Sequence, residues 1–150
     1  MRRAHVVLAR RGMALASNQV EYSLLARNPE RTGLIQACRD LRVTFIAHTP
    51  LAQGLLTGKY TPENPPRGLL RRLRYRSRRL ASIKPLITLL REIGHAHESK
   101  SPAQVALNWV ICKGGVPIPG AKNALQAQEN IGALGWRLDD NQIAALDAAS

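Results

Sequence analysis

Pro117-Ile118-Pro119-Gly120-Ala121-Lys122-Asn123-Ala124-Leu125-Gln126-Ala127-Gln128-Glu129-Asn130 is the stretch on which the reading of this chain turns. It has the order of a strand end, a glycine turn and the first turns of a helix. A helix N-terminus presents unpaired N–H groups and a partial positive charge, so an anion placed there is stabilised by backbone alone. Gly120 lets the backbone come close to a ligand. Lys122 adds a full cation beside it, suited to a phosphate as a point charge. Asn123 is placed as N-cap with Gln126 three residues on, a variant of the capping box. Taken alone, the same stretch also fits an ordinary strand-to-helix connection with a solvated lysine.

Working outward, Val43-Thr44-Phe45-Ile46-Ala47 is a short β-branched and aromatic run, expected to be a strand buried on both sides. His48, Thr49, Pro50, Leu51, Gln53 and Gly54 follow it directly. Leu15 to Leu24 is expected to be another strand. Asn28-Pro29-Glu30 starts a helix, with proline at its first position and an acid in its first turn. Leu34, Ile35, Cys38 and Leu41 form the core-facing stripe there. Ile83, Leu86, Ile87, Leu90 and Ile93 mark an amphipathic helix, expected to be capped by Ser82 and to stop near Gly94. Ser101-Pro102-Ala103-Gln104 opens the next helix, with Val105, Ala106, Trp109 and Val110 inward. Asp139 to Gln142 caps a closing helix whose Ile143 and Leu146 face the core.

Three of these segments carry a resemblance. Pro-Ile-Pro-Gly followed by Lys122, Gln126 and Glu129-Asn130 resembles the last strand and phosphate-binding helix of the aldo-keto reductases. Ser17-Asn18-Gln19-Val20-Glu21-Tyr22-Ser23-Leu24 resembles that family's sixth barrel strand, and residues 45–60 resemble its seventh strand and the loop after it. Order and spacing fit over nearly the whole chain, and the likeness is nearest to the branch that includes the potassium-channel β subunits and plant plastid reductases. The resemblance implies an α/β fold, an incomplete (β/α)8 TIM barrel of roughly strands six to eight with their helices. Such barrels typically need about 250 residues, so residues 1–150 are expected to be the C-terminal portion of one.

The resemblance also implies roles. Gly120, Lys122, Gln126, Glu129 and Asn130 would hold the adenosine phosphate end of NADP(H), with Lys122 favouring NADP over NAD. Gln19 would help hold the nicotinamide carboxamide, and His48 falls where the family often has an aromatic residue against the nicotinamide ring. Thr49 replaces a serine that touches the pyrophosphate, and Pro50, Leu51, Gln53 and Gly54 belong to the loop folding over the cofactor. On the residues alone, Gln19 equally fits a cap of the barrel interior, and His48 a structural histidine at a strand end. The family's catalytic tyrosine, lysine, aspartate and histidine lie on earlier strands, and Tyr22, Tyr60, Tyr75 and Lys59 do not correspond to them. The implied function is NADP(H)-dependent reduction of small aldehydes or ketones by hydride transfer in a complete barrel, with this chain inactive by itself. Two other readings stand beside it: a catalytically inert cofactor-binding or partner module, and a basic nucleic-acid-binding protein.

The net charge of +12 bears on the last. Arg67, Arg71, Arg72, Arg74, Arg76, Arg78 and Arg79 fall within 13 residues that contain no acid. Such a cluster can neutralise phosphates, but Tyr75 is the sole interleaved aromatic, thin for stacking bases. A solvated basic loop at about 61–81 is the favoured reading, and nucleic acid is not an expected partner. Cys38 and Cys112 sit in apolar helical patterns and suit small buried hydrophobes rather than a disulfide or metal pair. His95 and His97 lack a third ligand at a recognisable spacing and are expected on the surface. No apolar run approaches the roughly 18 residues of a membrane span. The arginine-rich, acid-free N-terminus has a transit-peptide character, yet it also fits a helix over residues 2–11 stopped at Gly12. Chloroplast and cytoplasm are the expected compartments. Three strands of eight leave two open sheet edges, through which association with another chain is expected.

Overall fold

The computed structural model describes residues 1–61, 64–65 and 77–150. Three short strands, β1 (Ser17–Glu21), β2 (Thr44–His48) and β3 (Val116–Ile118), pair in that order as one parallel sheet. Around them are α1 (Arg2–Ala9), α2 (Asn28–Arg31), α3 (Leu34–Asp40), α4 (Ser77–Ala96), α5 (Pro102–Cys112), α6 (Ala124–Ile131) and α7 (Asp140–Ala148). A 3-10 segment covers Ala52–Thr57. Of the arginine cluster, Arg67, Arg71, Arg72, Arg74 and Arg76 lie outside the described residues, as does Tyr75.

Register explains which side of the sheet is covered. Gln19 pairs with Ile46 and Ile46 with Val116; Glu21 pairs with His48 and His48 with Ile118. Residues directly opposite in a ladder share a face, and successive residues alternate. Gln19, Glu21, Thr44, Val116 and Ile118 are exposed, with Ile46 and His48 half-buried, whereas Phe45 and Ala47 are buried beneath the helices. The segment expected to be buried on both sides therefore alternates. Among the described residues helices cover one side only, and the other side, the inner face, stands open. The strand expected over Leu15–Leu24 is also shorter, because Tyr22 and Leu24 turn away to pack in the core.

Local signals set the helix ends. Gly12, with φ +69°, stops α1 through its N–H to Ala9 and the Met13 N–H to Leu8. Ser101 and Asp139 head full capping boxes with Gln104 and Gln142. The helix expected to begin at Ser82 and end near Gly94 instead runs from Ser77 to Ala96. Pro85 lies inside it and has no N–H to offer the Ala81 carbonyl. Gly94 is not the stop. A Cβ there would sit 2.0 Å from the Lys100 carbonyl oxygen, so glycine lets the chain fold back against its own helix. Ile83, Leu86, Ile87, Leu90 and Ile93 are all buried, as their spacing requires.

Trp109 on α5 is the centre of the core. Tyr22 stacks on it with centroids 5.0 Å apart, and Phe45 meets Tyr22 edge-on at 5.2 Å. A charged cluster closes over this stack. The Tyr22 hydroxyl donates to Glu30, which also accepts from Arg27. Asp147 accepts from the Trp109 indole at 3.0 Å and from Lys113 at 2.6 Å, and pairs with Arg27 at 3.2 Å. Burial alone would raise the Glu30 carboxyl, but the hydrogen bonds from Tyr22 and Arg27 and the charge of Lys113 outweigh it and hold the group low. Burial first, then the bond to Glu30, pushes the Tyr22 phenol up.

Asn108 is fully buried and fully satisfied. Its amide donates to the Ala133 and Trp136 carbonyls at 2.9 Å, and its oxygen accepts from Leu138 N–H at 3.1 Å. His97, expected on the surface, is half-buried: its Nε2 lies 2.9 Å from the Gln142 oxygen and its ring packs on Trp136 at 4.7 Å. Cys38 is buried and Cys112 half-buried, both free. Among the described residues no group of His, Cys, Asp or Glu could hold a metal ion, and no helix is long and apolar enough to cross a membrane.

Two outcomes follow from this packing. Gly94→Ala forces a methyl group against backbone and is expected to destabilise the chain by about 1–3 kcal/mol, read as a lower thermal midpoint. Glu30 titrates below its ordinary 4.5 when folded, so the unfolded chain takes up the proton first. The stabilisation it contributes is complete above about pH 4.5 and is lost as pH falls through the lower folded value. Urea titrations across pH 3–6 should show that slope, and Glu30→Gln should flatten it.

Candidate functional site

The ends of β2 and β3 point the same way because the strands are parallel, so the loops that leave them face one another. One wall of the cleft between them is Thr49, Pro50, Leu51, Gln53, Gly54, Thr57, Lys59 and Tyr60; the other is Pro119, Gly120, Ala121, Lys122, Gln126, Glu129 and Asn130. Ala103, in the first turn of α5, lies between them. The cleft has a volume of about 630 Å³, within the usual span of small-molecule sites.

The β3–α6 wall is built by its own side chains. Asn123 caps α6 by accepting the Gln126 N–H at 2.9 Å. The Gln126 carbonyl does not return to the Asn123 N–H, as a capping box would. It reaches one residue further, to Lys122 N–H at 2.9 Å, and pins the turn that carries the cation. Lys122 is exposed and makes no ion pair among the described residues. Gly120 has no positive φ, and a Cβ added to it would meet nothing within 4 Å. Nothing in the packing of the described residues therefore requires glycine there. Glu129 ties this wall to the preceding helix, α5: its carboxylate accepts from the Ser101 hydroxyl, and its carbonyl from Gln104 at 3.0 Å.

The opposite wall is strained. Thr49, Ala52 and Gln53 have φ of 57°, 48° and 57°, each costing on the order of 1–2 kcal/mol for a residue with a Cβ. Gly54 and Gly58 follow at φ 94° and 70°. The Thr57 hydroxyl donates to the Gly54 carbonyl at 2.7 Å, and the Arg91 guanidinium to the Gly58 carbonyl at 3.0 Å. These contacts hold Lys59 at the cleft, with its ammonium 4.8 Å from the centre of the Tyr60 ring. Two cations, Lys59 and Lys122, thus face one cleft from opposite walls.

Of the twelve residues singled out in the sequence, ten line this cleft. Gln19 and His48 do not. Both stand on the open inner face, Gln19 in mid-strand and His48 at the last residue of β2, where its Nδ1 lies 3.0 Å from the Thr49 hydroxyl. Sequence reasoning missed Thr57, Lys59, Tyr60, Ala103, Pro119 and Ala121 as lining residues. The glycine-flanked turn before Lys59 was the available signal. Tyr22 lies behind the sheet, bonded to Glu30 in the core.

A one-sided parallel α/β sheet with a cleft at the carboxyl ends of its strands is part of a (β/α)8 barrel. The chain belongs to the aldo/keto reductase family, whose sequence profile matches residues 1–150. It is 40% identical over 146 residues to the chloroplastic pyridoxal reductase of Arabidopsis thaliana, covering 97% of this chain and 39% of that one. It is 36% identical to the aldo-keto reductase yakc, designated for NADP(+), of Schizosaccharomyces pombe, over 83% of this chain and 38% of that one. The glycerol dehydrogenase AKR11B4 of Gluconobacter oxydans superposes with a TM-score of 0.80 at 23% identity, over 93% of this chain and 43% of that one. The chain spans about two fifths of the length of the curated relatives it matches.

The strained wall can be relaxed without touching the cleft. Ala52→Gly removes a left-handed Cβ and should raise the thermal midpoint, with a gain of about 0.5–1 kcal/mol in denaturant titrations.

Proposed function

We propose that this chain forms the dinucleotide-holding portion of an NADP(H)-dependent aldo-keto reductase, acting on a small carbonyl compound when the barrel is complete. The observation that carries the reading is the β3–α6 turn, where, among the described residues, no packing need requires Gly120 and no ion pair holds Lys122. A backbone that open, beside a helix N-terminus and an ammonium group, suits a phosphate. Lys122 would favour the 2′-phosphorylated carrier, while Gln126, Glu129 and Asn130 line the same end. Thr49, Leu51 and Gln53 would face the pyrophosphate, with Pro50 and Gly54 shaping their loop. Lys59 adds a second cation across the cleft. Gln19 and His48, on the inner face, would approach the nicotinamide.

The bound carrier would supply hydride for carbonyl reduction, and a proton donor of tuned acidity completes such a reaction. Among the described residues no tyrosine is placed for that. Tyr22 is locked to Glu30 behind the sheet and Tyr60 stands beside Lys59. The chain's own contribution is binding and orientation.

Titration with NADPH, followed by quenching of tryptophan fluorescence, tests the reading. Gly120→Val should leave folding stability within about 0.5 kcal/mol because its side chain enters open space, yet abolish binding. Lys122→Ala should weaken NADPH by about tenfold, or 1.4 kcal/mol, and NADH far less. Equal affinity for the two carriers would overturn the role of Lys122, and tight binding to Gly120→Val would overturn the site.

A further inference from the structure

Glu129 is the only acid among the described residues that line the cleft, and it shares that end of it with Lys122. A carboxylate beside the cation that is to hold a phosphate is unfavourable twice over. It repels the phosphate, and it offers the ammonium group a competing partner. Yet Lys122 and Glu129 form no ion pair among the described residues. The reason lies on the neighbouring helix. Ser101, the N-cap of α5, donates its hydroxyl to Glu129 Oε1. The Gln104 side chain accepts the Ser101 N–H at 2.9 Å and donates to the Glu129 carbonyl at 3.0 Å. The capping box of α5 therefore grips one residue of α6 by both its side chain and its backbone. Gly132 records how closely the two helices approach: a Cβ there would sit 2.1 Å from the Gln104 amide nitrogen. Its φ of −62° does not call for glycine, and Gln104, bonded at both ends, cannot yield without releasing Glu129. A helix start needs only the reciprocal bonds of its own box; nothing in capping asks that box to reach a second helix.

We infer that Ser101, supported by Gln104, is a positioning residue for the choice of carrier. It draws the Glu129 carboxylate towards α5 and so leaves Lys122 to the phosphate that distinguishes NADP from NAD. The inference rests on the dinucleotide site proposed above. With the Ser101 hydroxyl gone, Glu129 keeps its charge and loses a donor, and Lys122 in the same cleft becomes its counter-ion. The 2′-phosphorylated carrier must then displace a carboxylate as well as water. The carrier without that phosphate loses nothing there. The effect of Ser101 thus falls on the ratio of two affinities rather than on the fold.

Fluorescence titrations with NADPH and with NADH test this, with thermal midpoints measured alongside. Ser101→Gly removes the hydroxyl but keeps a residue that helix N-caps accept. It should lower the NADPH-to-NADH affinity ratio by about threefold to fivefold. Ser101→Thr restores a hydroxyl and should hold the ratio at its original value. Ser101→Gly combined with Glu129→Gln should recover the ratio, because the competing charge is gone and contacts common to both carriers cancel. A chain that binds neither carrier overturns the site and the role of Ser101 with it. Binding whose ratio Ser101→Gly leaves unchanged overturns the role alone, and so does a fall in ratio that Glu129→Gln fails to reverse.

Discussion

Parallel strands cannot be joined by a tight turn. Each needs a crossover, and because the crossovers share one hand they deliver their helices to the same side when a sheet curls towards closure. Every later feature of this chain follows from that constraint. β1, β2 and β3 receive helices on one face, so Phe45 and Ala47 are buried while Gln19 and Ile118 stand in the open. The core is therefore a layer between sheet and helices, not a sphere. Trp109 spans that layer from α5, and the Tyr22 stack fixes the height at which helices and strands meet.

The same geometry makes the cleft. Loops leaving the carboxyl ends of adjacent parallel strands diverge to opposite sides of a crevice, and here one loop carries strain while the other carries caps. Rigidity of the β3–α6 wall comes from its neighbour. Ser101 caps α5 and also bonds Glu129, so a single residue sets both the start of one helix and the lie of the next. Asn108 does the same further along α5 by holding the 133–138 segment through three hydrogen bonds. Exchange it for an isosteric leucine and those carbonyls lose their donors.

What was legible in the sequence was mostly local. The Ser101 and Asp139 boxes, the Gly12 stop and the buried stripe of α4 depend on residues a few places apart. The cleft was legible through its motif, down to most of its lining. Two kinds of feature were not. Which face of a strand is covered depends on where distant helices pack, so a run as apolar as Val43–Ala47 looked buried on both sides. The cluster of Arg27, Glu30, Lys113 and Asp147 joins residues from opposite ends of the chain, and spacing carries no trace of it. His97 belongs with these, because its partners Trp136 and Gln142 lie some 40 residues away.

The Arg27 guanidinium donates to the Asp147 carbonyl at 2.7 Å, across a separation of 120 residues. A ribosome delivers such partners in sequence, at about 5–20 residues per second, so the first waits on the order of ten seconds for the second. In the last part of that interval, after residue 109 is made, the Trp109 indole lacks the aspartate that accepts its N–H. Arg27, Glu30 and Lys113 are by then already made, so Asp147 is the member of the polar cluster that arrives last.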